Sequence, residues 1–576
     1  MCKSIQTMLV ILLICLCQLA WSQTILRFNQ QINGLQDPEL KNARARLDIL
    51  QKPFKNNLTP AVIQKLFRKA PREIRKALEP YGYFRPKITK NLTSQNNIWT
   101  ANYYVTPGSP LKLTRLNIKI TGKGQYNPQL QKLITRFRRK IGKTFTTAMY
   151  NRLSNNLLNR AQQNGYLHAA FTKNQTTINL RQHTCSIDLV LYTGSRHYFG
   201  PVTFSPSPFA NSFLQRYVEF TPNTPFSYEK LLDLEQKLSG SQYFKNVTAS
   251  THQKHQQQKH IPVRVNLKMN KNKAYRFGIG YGTNSGFRGT IGFSWRWINR
   301  WGHKFNAYIK ASQAERNIAA QYLIPGRHPA NEQYALNAGI YKLTPKQGVS
   351  YMQSVGVAYI RQHSRWQQTL SLDYQNERYR LVDGGKFYHA KMLVPTLSFS
   401  HLSTNKIINT RHGNRFNVTV RGASKDVLST VTFLQTEVQD KMIYTFWQDN
   451  RVVLRGHVGY TWGKETLQLP VSKQFYTGGI SSIRGFGYKY LGPGRYLLTG
   501  SAELQRRVYK KIYGAIFYDK GNAINSWKRM NLVHSYGVGI VWQTPIGALQ
   551  VYVARARDVN SSKHRYRLEF SLGPDL

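Results

Sequence analysis

Three stretches of this 576-residue sequence hold residue types whose spacing could do chemistry. Gly142-Lys143-Thr144 has the ending of a phosphate-cradling loop, in which backbone N–H groups and a lysine hold the phosphates. The upstream glycine of such a loop would stand at position 137, which is Phe137. Arg136-Phe137-Arg138-Arg139-Lys140 is a basic run able to touch phosphates, although a solvated helix end has the same composition. The third stretch is Gly478-Gly479-Ile480-Ser481-Ser482-Ile483-Arg484-Gly485-Phe486, a single guanidinium inside a glycine-rich segment. A guanidinium presents a planar fork of donors that matches carboxylates, and it keeps its charge in a crowded interior. No Gly-x-Ser-x-Gly elbow and no His-Glu-x-x-His pair occurs. The sequence therefore reads as a non-enzyme that needs neither cofactor nor metal.

The elements that would position Arg484 begin after an export signal. Lys3 is followed by the ten apolar residues Met8 to Cys17, and Ala20-Trp21-Ser22 offers small residues before a cut at Gln23. Residues 1–22 are expected to be a signal peptide, too short to span a bilayer. Its removal takes Cys2, Cys15 and Cys17, so Cys185 can form no internal disulfide and is expected to be a small buried residue. The remaining 576 − 22 = 554 residues contain no second apolar run of transmembrane-helix length. The chain has 35 Tyr, 10 Trp and 41 Gly, with a mean hydropathy of −0.48. That combination suits a membrane β-barrel, which spends aromatics on interfacial girdles and keeps a polar interior.

Lys+Arg 82 against Asp+Glu 25 gives a net charge of +57, or 57 − 1 = +56 without Lys3. Nucleic acid is the usual partner of such an excess. Export argues for no nucleic acid, and for outer-membrane lipids and lipopolysaccharide phosphates instead, while a host with generally basic proteins accounts for the charge equally well, so the charge alone decides nothing.

Residues 24 to about 270 carry a weak repeat. Helical patterns end in Glu79-Pro80-Tyr81-Gly82-Tyr83-Phe84, in Asn164-Gly165-Tyr166-Leu167 and in Ser241-Gln242-Tyr243-Phe244. Gly82 and Gly165 lie 165 − 82 = 83 residues apart. A glycine there supplies a left-handed C-cap, and Gln242 departs from it. Extended segments follow at Trp99–Val105, Cys185–Tyr192 and Ile261–Met269. The unit is β-α-α-β-β, three times over, with expected boundaries at 23–108, 109–195 and 196–272.

From about Tyr275 the period changes to two. Tyr275, Phe277, Ile279 and Tyr281 alternate with Arg276, Gly278, Gly280 and Gly282. Near the end Tyr566, Leu568 and Phe570 alternate with Arg565, Arg567 and Glu569. At ~19 residues per strand and connection, residues 273–576 predict about sixteen strands of a transmembrane antiparallel β-barrel.

The segment around Arg484 resembles the Arg-Gly-Phe/Tyr loop signature of the BamA/TamA outer-membrane insertase superfamily. The resemblance implies that the loop folds into the barrel, with Arg484, Gly485 and Phe486 locked to Glu503 and Asp519 on late strands. Two acids just after the arginine are informative where bases outnumber acids so heavily. Three repeats in a chain of this length resemble TamA members most, and imply three POTRA domains behind the signal peptide.

The resemblance also implies a machine that places other proteins in the outer membrane. Unfolded outer-membrane clients such as autotransporters would enter through a lateral seam between the first strand (Tyr275, Phe277, Gly278, Ile279, Gly280, Tyr281) and the last (Tyr566, Leu568, Phe570). The glycines either weaken that gate or leave room for the inward loop. The implied partner is a TamB-like inner-membrane-anchored protein, with the POTRA repeats in the periplasm. A two-partner secretion translocator of the same superfamily, or a passive porin, is the rival reading.

Overall fold

The computed structural model describes residues 26–573 apart from 55–56, 252–258, 346–347, 382–384, 405, 407, 448, 464–467, 529–530, 546 and 558–563. The expected signal peptide lies outside the described residues. The chain divides into two units, one holding the first two repeats and parts of the third, the other holding the rest of the third and the barrel.

In the first repeat, strands Arg27–Asn33, Lys87–Gln95 and Ile98–Thr106 form one sheet. The helix Pro60–Leu78 starts where the Thr59 hydroxyl accepts from the Val62 N–H at 3.3 Å. Ile63, Leu66, Ala70 and Ile74 recur at helical spacing and bury against Ala101, Tyr103 and Val105. The second repeat repeats the plan. Thr146 caps the helix Thr147–Gln163, whose Leu153, Leu157 and Ala161 pack on Cys185, Ile187, Leu189 and Leu191. The third repeat has strands Tyr198–Phe204, Phe244–Ser250 and His260–Met269 and helices Asn211–Gln215 and Tyr228–Gly240. Each repeat thus has the expected β-α-α-β-β order.

Gly82 and Gly165 adopt φ of +93° and +90°, and Gln242 takes the same left-handed conformation at +67°. A side chain there costs roughly 1 kcal/mol. In the second unit Tyr243 follows directly, and its hydroxyl donates to the Gly302 carbonyl at 2.5 Å. Lys304 donates to the Ser241 carbonyl at 2.8 Å. Those bonds tie the end of this third-repeat turn to the connection between the second and third barrel strands.

The barrel is a 16-stranded antiparallel sheet running from Lys273–Gly282 to His564–Gly573. Outward positions such as Ile318, Ile340, Val355 and Val538 are apolar and exposed, as a lipid-facing band requires. The longest connection joins the eleventh strand (Asn450–Trp462) to the twelfth (Tyr496–Tyr509). No described helix is long and apolar enough to cross a membrane.

Cys185 is 1% exposed, and burial pushes its thiol up to about 11. Thiolate is the reactive form. The folded protein, freed of its signal, should therefore resist maleimide labelling near neutral pH and label once unfolded. Rapid labelling of the native protein would contradict this packing.

Candidate functional site

The site is built by strand register. Asn450–Trp462, Tyr496–Tyr509 and Ile512–Ile524 are neighbouring strands, the eleventh to thirteenth of the barrel. Their register sets Arg455 opposite Ser501, and Ser501 opposite Asp519. Glu503, two residues beyond Ser501, shares its face because side chains alternate along a strand. One inner-wall row therefore presents a cation, a hydroxyl and two carboxylates.

The 463–495 loop inserts Arg484 into this row. Its Nε and backbone N–H donate to Asp519 Oδ2 at 2.8 and 3.0 Å, and Nη2 donates to Asp519 Oδ1 at 2.7 Å. Nη1 donates to Glu503 Oε2 at 2.6 Å, and Nη2 also reaches the Ser501 hydroxyl at 3.1 Å. The guanidinium carbon lies 3.5 Å from the Phe517 ring centroid and 4.7 Å from that of Tyr552. Arg484 is 0% exposed, and Glu503 and Asp519 are buried.

Other groups complete the pairing. Tyr552 and Gln505 each donate to Glu503 Oε1 at 2.6 Å. Arg455 donates to Ser501 and to the Ile480 carbonyl, and Ser501 donates to Asp519. Two guanidinium groups face two carboxylates, so the buried charge balances. Removing one partner of such a pair typically costs about 3–5 kcal/mol.

Gly485 and Phe486 shape the loop beside the arginine. Gly485 has φ of +84°, and a Cβ there would lie 2.7 Å from Ala556 Cβ. Only a bare backbone fits that approach. Phe486 and Ile483 bury against Leu491, Val533 and Ala556.

A second anchor holds the other end of the loop. Buried Glu377 of the seventh strand accepts from the Ser472 N–H at 3.1 Å, the Ser472 hydroxyl at 2.5 Å and the Ser350 hydroxyl at 2.7 Å. Tyr379 donates to the Gln468 carbonyl at 2.8 Å. Ser472 lies 95 residues from Glu377 in sequence, and only the folded barrel brings them together. The sequence reading missed Glu377, as it missed Arg455, Ser501 and Tyr552. Ser501 alone carried a signal, since period-two alternation puts it on the face of Glu503.

The two end strands meet over only part of the residues named for the seam. All ten residues of the first strand pair with the second, but no ladder among the described residues joins it to the last strand. They meet where Thr283 N donates to the Phe570 carbonyl at 3.1 Å and Phe570 N donates to the Thr283 hydroxyl at 3.2 Å. Thr283 also donates to buried Glu569 at 2.6 Å, and Arg288 donates to the Leu572 carbonyl at 2.9 Å.

Of the named seam residues, Tyr281 and Phe570 meet across this junction as tilted rings with centroids 6.0 Å apart. Tyr275 packs on Phe293, and Phe277 pairs with Ile291, both within the first hairpin. Ile279 is 96% exposed, and Tyr566 and Leu568 are exposed too. The antiparallel stagger explains this. With Thr283 opposite Phe570, positions 275–279 fall opposite numbers from 574 onward, outside the described residues.

The idea that glycines leave room for the loop is not what the packing shows. A Cβ at Gly280 would meet Arg288 first, and at Gly278 only Thr290, both on the second strand. The loop instead meets the seam through Asn284, which accepts from Ile480 N at 3.2 Å, and through the Gly485 backbone, which lies beside the Glu569 carboxylate. Glu569 thus touches both the loop beside Arg484 and the seam at Thr283. Among the described residues no group of His, Cys, Asp and Glu could hold a metal ion.

The Omp85 superfamily domain matches residues 235–575, and the POTRA domain described as TamA domain 1 matches residues 29–107. The fold is similar to that of BamA from Haemophilus ducreyi lacking POTRA domains 1–3, with a TM-score of 0.63 at 16% identity over 80% of this chain and 99% of that one. CdiB from Acinetobacter baumannii aligns with a TM-score of 0.48 at 12% identity over 80% and 90%. Outer envelope protein 39, chloroplastic, from Arabidopsis thaliana is 31% identical over 88 residues, 13% of this chain, which spans 24% of that relative's length.

Arg484→Ala should lower the temperature at which the folded barrel loses its heat-modifiable gel mobility and expose the 463–495 loop to protease. Glu377→Gln should loosen the loop near 468–473 and leave the Arg484 end protected. Unchanged mobility and protection in Arg484→Ala would contradict a stabilising role for this pairing.

Proposed function

The chain belongs to the Omp85 superfamily, and on that premise we propose that it inserts or translocates other outer-membrane proteins, autotransporters among them, through the seam between its first and last strands. The observation that carries this reading is the seam itself. Every other neighbouring pair of barrel strands is joined by a ladder, whereas among the described residues this one is held by a few bonds around Thr283 and Phe570.

Backbone groups left unpaired in hydrocarbon cost several kcal/mol each. A client strand pairing along 273–281 would satisfy those groups while its side chains alternate between lipid and lumen. The exposed Tyr275, Phe277 and Ile279 supply a lipid-compatible outer face for such a hybrid sheet. The Arg484 pairing and the Glu377 anchor keep the loop against the wall, so that opening the seam need not unfold the interior.

The three repeats stand in the periplasm in this reading. Sheet-edge strands such as Lys87–Gln95 and Ala170–Asn179 offer places for a TamB-like inner-membrane-anchored protein, or an arriving client, to add a strand. The match of residues 29–107 to a TamA-type first POTRA domain supports this assembly role over a two-partner secretion translocator.

The test is a reversible clamp. Thr283→Cys with Phe570→Cys places two thiols across the seam, and Cys185 is buried away from solvent. Oxidation of the double variant should stop client assembly, and reduction should restore it. Full assembly by the oxidised protein would exclude lateral passage at this seam.

A further inference from the structure

The basic run of the second repeat has no part in seam, loop or lock, yet it lines the wall of a groove. The groove, of about 680 Å³, lies between the helices Pro128–Arg138 and Thr147–Gln163 and is lined by Gln129, Lys132, Leu133, Arg136, Arg139 and Arg160 among others. Gln129, Lys132, Arg136 and Arg139 follow one another at three- and four-residue steps, which puts them on one helix face. Arg160 comes from the second helix. All four cations are exposed, and among the described residues none forms an ion pair.

The surroundings offer no compensation. From Pro80 to Ile187 the chain has eight arginines and nine lysines and no aspartate or glutamate. A helix C-terminus favours cations in its last turn, which accounts for Arg136, Arg138 and Arg139. It does not account for Lys132 one turn earlier, nor for Arg160 on the other helix. The chemistry is a cationic rim over an apolar floor made by Leu133 and the methylene stems of the lysine and arginines.

We propose that this groove binds the phosphate headgroups of anionic lipids in a bilayer surface. Guanidinium groups bind phosphate oxygens bidentately, and the apolar floor suits the glycerol and first methylenes below the phosphate. Single-stranded nucleic acid would call for aromatic platforms, and no aromatic side chain lines the groove. Lipid binding here is independent of client insertion.

The test uses the full-length protein in phosphatidylcholine nanodiscs, mixed with phosphatidylcholine vesicles with or without phosphatidylglycerol, and scores vesicle co-flotation. Wild-type protein should bind the anionic vesicles in a salt-sensitive way. The variant Lys132→Ala, Arg136→Ala, Arg139→Ala, Arg160→Ala should bind at least about tenfold more weakly, as loss of several surface cations does. A charge-matched control on the same repeat, Lys112→Ala, Lys119→Ala, Lys173→Ala, Arg181→Ala, should retain most of the binding. Should the groove variant not fold, the single exposed change Arg136→Glu carries the same expectation. Undiminished binding by the groove variant, or an equal loss in the control, would overturn the site in favour of diffuse charge. Displacement by inorganic phosphate, or by polyglutamate at equal charge, as effective as by anionic vesicles would overturn the bilayer as its source.

Discussion

The Arg484 guanidinium is fully buried with its charge shared between Asp519 and Glu503, and a bare cation in that place would be very costly. The loop that carries it therefore stays where the carboxylates are. Residues 468–495 are folded back against the inner wall, and Phe486 and Ile483 pack beside the arginine. A chain with 82 bases and 25 acids places two of those scarce acids at this point. Arg455 balances the second carboxylate and ties the eleventh strand to the same row.

From that fixed point the structure reaches its weakest junction. Glu569 lies beside the Gly485 backbone on one side and accepts a hydrogen bond from Thr283 on the other. The loop beside the arginine and the few bonds that close the seam thus share one carboxylate. Opening the seam would break a small number of bonds near Thr283 and leave the Arg484 pairs intact. A strong interior lock and a weak wall can therefore coexist in one barrel.

Much of this was legible in the sequence, and the reasons are physical. Period-two alternation marks barrel strands because one face meets lipid and the other water. The repeats show through glycine caps, since a left-handed turn favours glycine, and Gln242 marks the one turn that goes without it. Arg484, Glu503 and Asp519 stood out because the segment resembles the Arg-Gly-Phe/Tyr loop signature of the superfamily, and the scarcity of acids added weight to the pair. Arg455 did not, because its alignment with Ser501 depends on a register across a long loop that no turn rule specifies. The seam register was not legible for a related reason: closure of a barrel depends on the accumulated stagger of all its strands, and the first strand ends too early to meet Tyr566. Glu377 and Ser472 are joined only by the closed fold.

The central claim is that a client strand pairs with the free edge of the first strand. Single cysteines placed in turn along 273–281, during assembly of a client carrying one cysteine in a terminal strand, would measure this directly. Disulfides should form at matched positions, shifting one residue on the client for each residue along the barrel strand, in antiparallel register. Crosslinks scattered without register, or found only with lumen residues such as those around Arg455, would contradict it.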